Sequence, residues 1–216
     1  MSEAGTEVER HDEAGRLVER ARFRAGLLDG VTTLFGPEGL AAAEISFAAG
    51  RRDGPTVLYD AEGAVLARLH YRADALEGPA SFSAAGRVAT EMSFVAGVPD
   101  GPFRSYAPSG ALASEGSLRQ GRRHGEWAIH RPDGSVQQRL GYANGLLEGE
   151  AVDLDPAGVV RRRSFYRAGR LEGEVVEYDE AGRVTSRTEY VADKKVPPPP
   201  APEKRPPLHK RMFGLG

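Results

Sequence analysis

Glycine returns along this chain at a near-constant interval, and that interval limits the fold more than any single motif does. One series stands at Gly15, Gly39, Gly63, Gly86, Gly110, Gly134, Gly158 and Gly182, with steps of 24 residues except for one of 23. A second runs through Gly30, Gly54, Gly78, Gly101, Gly125, Gly149 and Gly173, and a third through Gly26, Gly50, Gly97, Gly121, Gly145 and Gly169. Asp74 and Asp193 complete the third series. Aspartate is among the few side chains that tolerate a left-handed backbone, so the two exceptions point to positive φ at that position. The three series hold 21 of the 27 glycines. A chain with 27 Gly, 15 Pro and 40% hydrophobic residues would read as disordered if those glycines were scattered; ordered in this way, they define an internal repeat.

Aromatic residues keep the same period. Phe35, Tyr59, Phe82, Tyr106 and Tyr178 stand four residues before a first-series glycine, and Phe23, Phe47, Tyr71, Phe94, Tyr142, Tyr166 and Tyr190 stand eight after one. Elsewhere the columns hold His11, His130, Leu154 or Leu118, substitutions that a stacked core accepts. Residues 126–149, EWAIHRPDGSVQQRLGYANGLLEG, read as a short strand, the turn RPDG, a strand of about eight residues and a second turn, YANGLLEG. Each repeat is a hairpin. The x-P-D-G segment suits a type I turn followed by a left-handed glycine, whereas so many glycines inside a helix would each cost roughly 1 kcal/mol.

Alternation assigns the faces. Counted from the first-series glycine, positions two, six and eight carry Val65, Leu69 and Tyr71, then Val88, Met92 and Phe94, and later Val136, Leu140 and Tyr142, which predicts a buried face. Position five runs Arg20, Glu44, Arg68, Glu91, Glu115, Arg139, Arg163 and Arg187 and is expected to face water. The residue missing between Gly78 and Gly86 predicts a change of register or a bend near Ser81. The expected architecture is an all-β, elongated single-sheet solenoid of about eight 24-residue hairpins over residues 8–194. Residues 1–7 form an N-terminal extension and 195–216 a disordered Pro-rich tail.

The pattern G-x-x-x-x-Y-D-x-x-G-x-V-x-x-x-x-x-Y-x-x-G-x-x-x-G, seen from Gly54 to Gly78 and again in GEWAIHRPDGSVQQRLGYANGLLEG, resembles MORN repeats. More narrowly it is similar to the MORN-variant repeats of bacterial YwqK-type antitoxin proteins, over about residues 8–193. The resemblance implies a non-catalytic, protein-binding chain, antitoxin- or immunity-like, that sequesters a toxin or effector. A scaffold or adaptor of a secretion or envelope assembly, tethered by the C-terminal arm, is the alternative, and a peripheral binder of anionic lipid is a third.

Composition sets outer bounds. Lys and Arg number 29 against 31 Asp and Glu, for a net charge of −2, which gives no global pull on duplex nucleic acid. Zero cysteines exclude disulfides and thiolate zinc sites and fit a reducing cytoplasm, the expected location. The N-terminus has no apolar h-region and no apolar run is long enough to span a bilayer. His11, His70, His124, His130 and His209 do not cluster at metal-ligand spacing, and no G-x-S-x-G, P-loop or H-E-x-x-H motif is present. The acids of the L-E-G turns, Glu77, Glu148 and Glu172, recur with the repeat, which favours a turn role over an acid/base pair. No catalytic, cofactor or metal site is expected, nor a small-molecule substrate.

The informative places depart from the repeat average. Phe165 occupies position seven, where other repeats carry small or polar residues, and is expected to be exposed. With Arg161, Arg163, Arg139 and Arg187 nearby it reads as a basic, aromatic protein-binding surface; a solvated face with cross-strand salt bridges is the competing reading. Trp127 and Phe103 share position two of their short strands, where a structural role for Trp127 is favoured. After Lys195 the segment PPPPAPEKRPP forms an extended arm, and Leu208, Met212 and Phe213 at its tip are candidates for docking into a partner.

Overall fold

Between the glycine turns, small or apolar residues alternate with charged ones, and in the computed structural model, which describes residues 5–197, these stretches are β-strands. Twenty strands make one antiparallel sheet. Pairing follows chain order, giving a continuous meander from Thr6–His11 to Lys194–Lys195. The repeating unit is a hairpin such as Arg122–His130 followed by Val136–Ala143. The protein is thus an all-β, elongated hairpin solenoid. Its first strand starts ahead of the expected boundary at residue 8, because Thr6 and Glu7 already pair with Phe23 and Arg22.

Among the described residues the 21 glycines of the three series are the 21 that adopt positive φ, and Asp74 and Asp193 join them at 73° and 69°. In the third-series turns the preceding residue is left-handed as well, as at Ala49 (φ 48°), Asn144 (φ 52°) and Ala168 (φ 49°). Two successive positive φ values define the two-residue hairpin turn whose twist matches the strands. These turns also tie neighbouring repeats together. Gly145 N–H donates to the Arg123 carbonyl at 2.9 Å, and Gly169 N–H to that of Leu147 at 2.8 Å. The L-E-G acids have the turn role expected of them: Glu77 accepts from Ala96 N–H, Glu148 from Ala168 N–H and Glu172 from Ala192 N–H, at 2.7–2.9 Å.

Second-series glycines stand directly opposite the aromatics of position eight. Gly54 pairs with Tyr71, Gly78 with Phe94, Gly125 with Tyr142 and Gly149 with Tyr166. The glycine permits the bulge, and the ring across from it restores the apolar cover that a missing side chain forfeits.

Three expectations about faces and register are corrected. The two aromatic columns do not form one stacked core; they lie on opposite faces, except that Phe82, which pairs with the buried Ala67, stays on the packed face because its repeat is one residue short. Leu58 pairs with Ala67, which is 5% exposed, so Tyr59, the next residue, points the other way. There its hydroxyl donates to Glu44 at 3.1 Å, as Tyr106 donates to Glu91 at 2.7 Å. Position five is the floor of an aromatic-walled face; Arg20, Arg68, Arg139, Arg163 and Arg187 on it are exposed as expected, whereas Glu44, Glu91 and Glu115 are half-buried. Val88 is exposed where its equivalents Val65 and Val136 are half-buried. It stands opposite Ser83, beside the shortened turn. Finally, the missing residue is absorbed by that turn and not near Ser81. Ala85 and Gly86 make a two-residue left-handed turn, while Ser81 keeps its register with Arg68 and Glu91 and the bulge between Val88 and Thr90 is the one that every hairpin carries.

The other, packed face has a centre of small residues: Thr32, Thr56, Ala80, Ala151 and Val175 occupy one short-strand position and are buried. Trp127 stands at the same position and is 2% exposed. Gly116 makes the room, since a Cβ there would lie 2.5 Å from the indole. The indole stacks on Phe103 at 5.2 Å, meets Tyr142 edge-on at 6.1 Å, lies under the Arg123 guanidinium at 4.5 Å, and donates its N–H to the Ser117 carbonyl at 3.1 Å. This cluster joins the two halves of the rod and gives Trp127 the structural role expected of it.

Candidate functional site

The charged face is built from three rows that run across the strands. Its floor is position five, from Arg20 to Arg187. One wall is the first aromatic column apart from Phe82, and its Tyr59 and Tyr106 hydroxyls are pushed above the ordinary tyrosine range. For Tyr59 burial is the main cause, ahead of the Glu44 hydrogen bond; for Tyr106 the hydrogen bond to Glu91 leads. The other row consists of the residues that follow the second-series glycines: Val31, Pro55, Pro79 and Pro102 in the N-terminal half, then Glu126, Glu150 and Glu174.

Proline is tolerated inside a sheet here because of a bulge. Between the pairs Arg52–Phe47 and Thr56–Ile45, three residues face one, and toward that strand Pro55 has no ladder bond to lose. Pro102 lies in the same kind of gap, between the pairs Pro99–Phe94 and Phe103–Met92. All three prolines are exposed.

A hollow of about 620 Å³ opens on this face in repeats three to five, lined by Arg68, His70, Pro79, Glu91, Pro102 and Arg104 among others. Two smaller hollows follow, of about 310 Å³ beside Glu115, Glu126 and Arg139 and about 350 Å³ beside Arg139, Glu150 and Arg163. The first hollow was not anticipated. Pro79 and Pro102, at one repeat offset, were the signal for it in the sequence.

The expected basic surface is on this face but is largely neutralised. Phe165 is 46% exposed, as its position implied. Arg163 pairs with Glu150 at 2.9 Å, Arg187 with Glu174 at 2.6 Å and Arg161 with Asp155 at 2.8 Å. Salt bridges thus prevail over a free cationic patch: Arg163 and Arg187 are met by the glutamates of the row that holds prolines in the other half, and Arg161 by the turn residue Asp155. Among the described residues Arg139 has no ion-pair partner, and it shares a hollow with Arg163. Arg162 points to the packed face beside Ser164, with its Nε buried. Leu208, Met212 and Phe213 lie outside the described residues.

Among the described residues no group of three His, Cys, Asp or Glu side chains is placed to hold a metal, and no helix is long and apolar enough to cross a membrane. His130 approaches Glu115 at 3.6 Å, while His70 lies at the first hollow.

Comparison with known proteins adds little. No family model matches the chain, and no curated protein matches it. Among solved structures, a mutant of S. aureus TarM in complex with fondaparinux, α-GlcNAc-glycerol and UDP is similar at 9% identity and a TM-score of 0.24, over 50% of this chain and 19% of that one. The chain therefore spans about a fifth of that protein's length, and a likeness of this size carries no functional argument.

Proposed function

We propose that this chain is a non-catalytic, protein-binding repeat protein that acts in the cytoplasm and is antitoxin- or immunity-like, holding a toxin or effector partner against its charged face. The supporting observation is the run of hollows along one side of the sheet, about 620, 310 and 350 Å³, leading toward the exposed Phe165. A repeat solenoid offers such a surface on a rigid frame, and little ordering entropy is lost when a partner settles on it. The antitoxin role itself comes from the resemblance to YwqK-type repeats.

The test is affinity purification from the native host with the full chain and with a chain ending at Asp193, followed by co-expression of the captured protein. A partner held by both chains, whose toxicity to growth is relieved by this protein, is the expected result. A partner lost with residues 194–216 makes the chain a tethered adaptor instead. Salt-sensitive binding to anionic vesicles with no protein partner makes it a membrane-surface protein.

A further inference from the structure

We infer that the hollow of repeats three to five recognises an extended acidic segment of a partner protein, with two carboxylates about four residues apart and neutral residues between them. The inference rests on the protein-binding reading above and assigns it a site and a ligand chemistry.

Arg68 and Arg104 stand at the two ends of the hollow. Along the floor the order is Arg68, Ser81, Glu91, Arg104, each paired in register with the next. Three strand spacings separate the two arginines, about 14 Å, which an extended peptide covers in roughly four residues. Arg68 has no ion-pair partner among the described residues, and Arg104 has only a long contact, 3.5 Å to Glu115, with over half of its own side chain exposed. Both guanidiniums are thus open to a better acceptor.

Glu91 lies between them, fixed by the Tyr106 hydroxyl at 2.7 Å. Its charge excludes a third carboxylate from the middle of the segment. It also disfavours a continuous polyanion such as RNA, which would lay a phosphate over it. Pro79 and Pro102 flank the floor one repeat apart, both exposed and both rigid, and present apolar surface to the neutral middle of the peptide at little entropic cost. The volume falls in the usual range of ligand clefts. The equivalent surface in repeats seven and eight carries Glu150 and Glu174, which occupy Arg163 and Arg187 and would repel the same peptide.

The test is fluorescence anisotropy on the full chain with a labelled twelve-residue peptide carrying Glu-Ala-Leu-Ala-Glu between Gly-Ser flanks. A Gln-Ala-Leu-Ala-Gln peptide and an oligo-dT strand serve as the other probes. The acidic peptide is expected to bind at least about tenfold more tightly than the glutamine peptide and the oligonucleotide. Arg68→Gln and Arg104→Gln are each expected to weaken it by about tenfold, the size of one lost charge-assisted bond. Arg187→Gln leaves it unchanged, and Pro79→Glu, which installs the chemistry of the other half, abolishes it. All four side chains are exposed, so melting temperature should hold and binding is read on folded protein.

Equal binding of the glutamine peptide, preference for the oligonucleotide, equal loss in Arg187→Gln or no binding at millimolar peptide would each overturn the site. The two proposals fail separately. A host partner retained undiminished by the Arg68→Gln, Arg104→Gln double variant overturns this site and leaves the protein-binding reading intact. Specific peptide binding without any host partner does the reverse.

Discussion

The two halves of the rod share one backbone plan, and the surface row that follows the second-series glycines is a place where they differ. After each second-series glycine the N-terminal half places Val31, Pro55, Pro79 and Pro102, and the C-terminal half Glu126, Glu150 and Glu174. The sheet accepts either, since the bulge leaves that position without an obligatory ladder bond on one side. The consequence is electrostatic. Where the row is acidic, Arg163 and Arg187 are bound up in cross-strand pairs; where it is proline, Arg68 stands open beside the hollow of about 620 Å³. An arginine-rich sequence therefore says little about cationic surface until the residues opposite are known.

The largest effect is expected at the seam between the halves. Phe103, in the last proline repeat, stacks on Trp127, in the first glutamate repeat, above Gly116. Trp127→Ala removes a 2%-exposed indole and should cost about 3–5 kcal/mol. Because repeats touch only their neighbours, the damage localises, and circular dichroism is expected to show two thermal transitions in place of one. A single transition shifted as a whole would mean that the halves are coupled elsewhere. Gly116→Ala, which drives a Cβ to 2.5 Å from the ring, should act in the same direction by overpacking.

A smaller loss follows from backbone strain alone. Gly134 has φ of 85°, and a Cβ added to it would meet nothing within 4 Å. Gly134→Val is expected to cost about 2 kcal/mol from the left-handed conformation; an unchanged urea midpoint would remove the turn assignment.

Acid should weaken the C-terminal half somewhat more. Asp155 and Asp179 are held below the usual carboxylate range chiefly by backbone N–H groups of Val159 and Arg183, and Asp133 by the Ser135 hydroxyl. In the other half Asp12 and Asp74 are lowered, mainly by the backbone N–H groups of Arg16 and Arg52. A depressed folded pKa contributes stability that is present above the unfolded value, about 4, and is lost as pH falls through the folded one. Melting temperature should therefore decline below about pH 4, and Asp155→Asn should flatten that decline.

Smaller still, and of opposite sign, is the effect of relieving the left-handed alanines. Six third-series turns place alanine at φ near 49°, whereas the turn at Asn144 and Gly145 uses the pair that such turns favour. Ala168→Asn should raise stability by about 0.5 kcal/mol, and a drop in melting temperature would count against the turn type.

These alanines mark the limit of what the sequence revealed. The 24-residue glycine register foretold the hairpins and the positive φ of the first- and third-series glycines, because glycine is cheap there, but not that of the second series, where the bulge sets it. Alanine carries no such mark, and only the neighbouring glycine forces its conformation. The faces were legible within a strand but not across a turn: the two aromatic columns, an even number of residues apart, fell on opposite sides where Leu58 paired with Ala67, and only the shortened repeat left Phe82 on the packed side. The exposed Phe165 was legible from its odd position, whereas the neutralisation of its arginines was not. That depends on glutamates 13 residues earlier, as in Arg163 with Glu150 and Arg187 with Glu174, a separation meaningful only once the register is known.

The smallest effect on stability carries the most information about which half meets the partner. Phe165 is 46% exposed, and its Cβ lies 3.9 Å from where a Cβ on Gly173 would stand, so Phe165→Ala should change stability by no more than about 0.5 kcal/mol. A larger loss would show that the ring supports the neighbouring strand. An exposed aromatic beside paired charges is a contact that a partner can bury without separating an ion pair. A partner seated on the C-terminal half should therefore lose affinity in Phe165→Ala and keep it in Arg68→Gln, while one seated on the proline half should do the opposite. Comparable losses in both require an interface that crosses Trp127, and such a partner should also release faster from Trp127→Ala, because the two half-surfaces would no longer be held in one rigid frame.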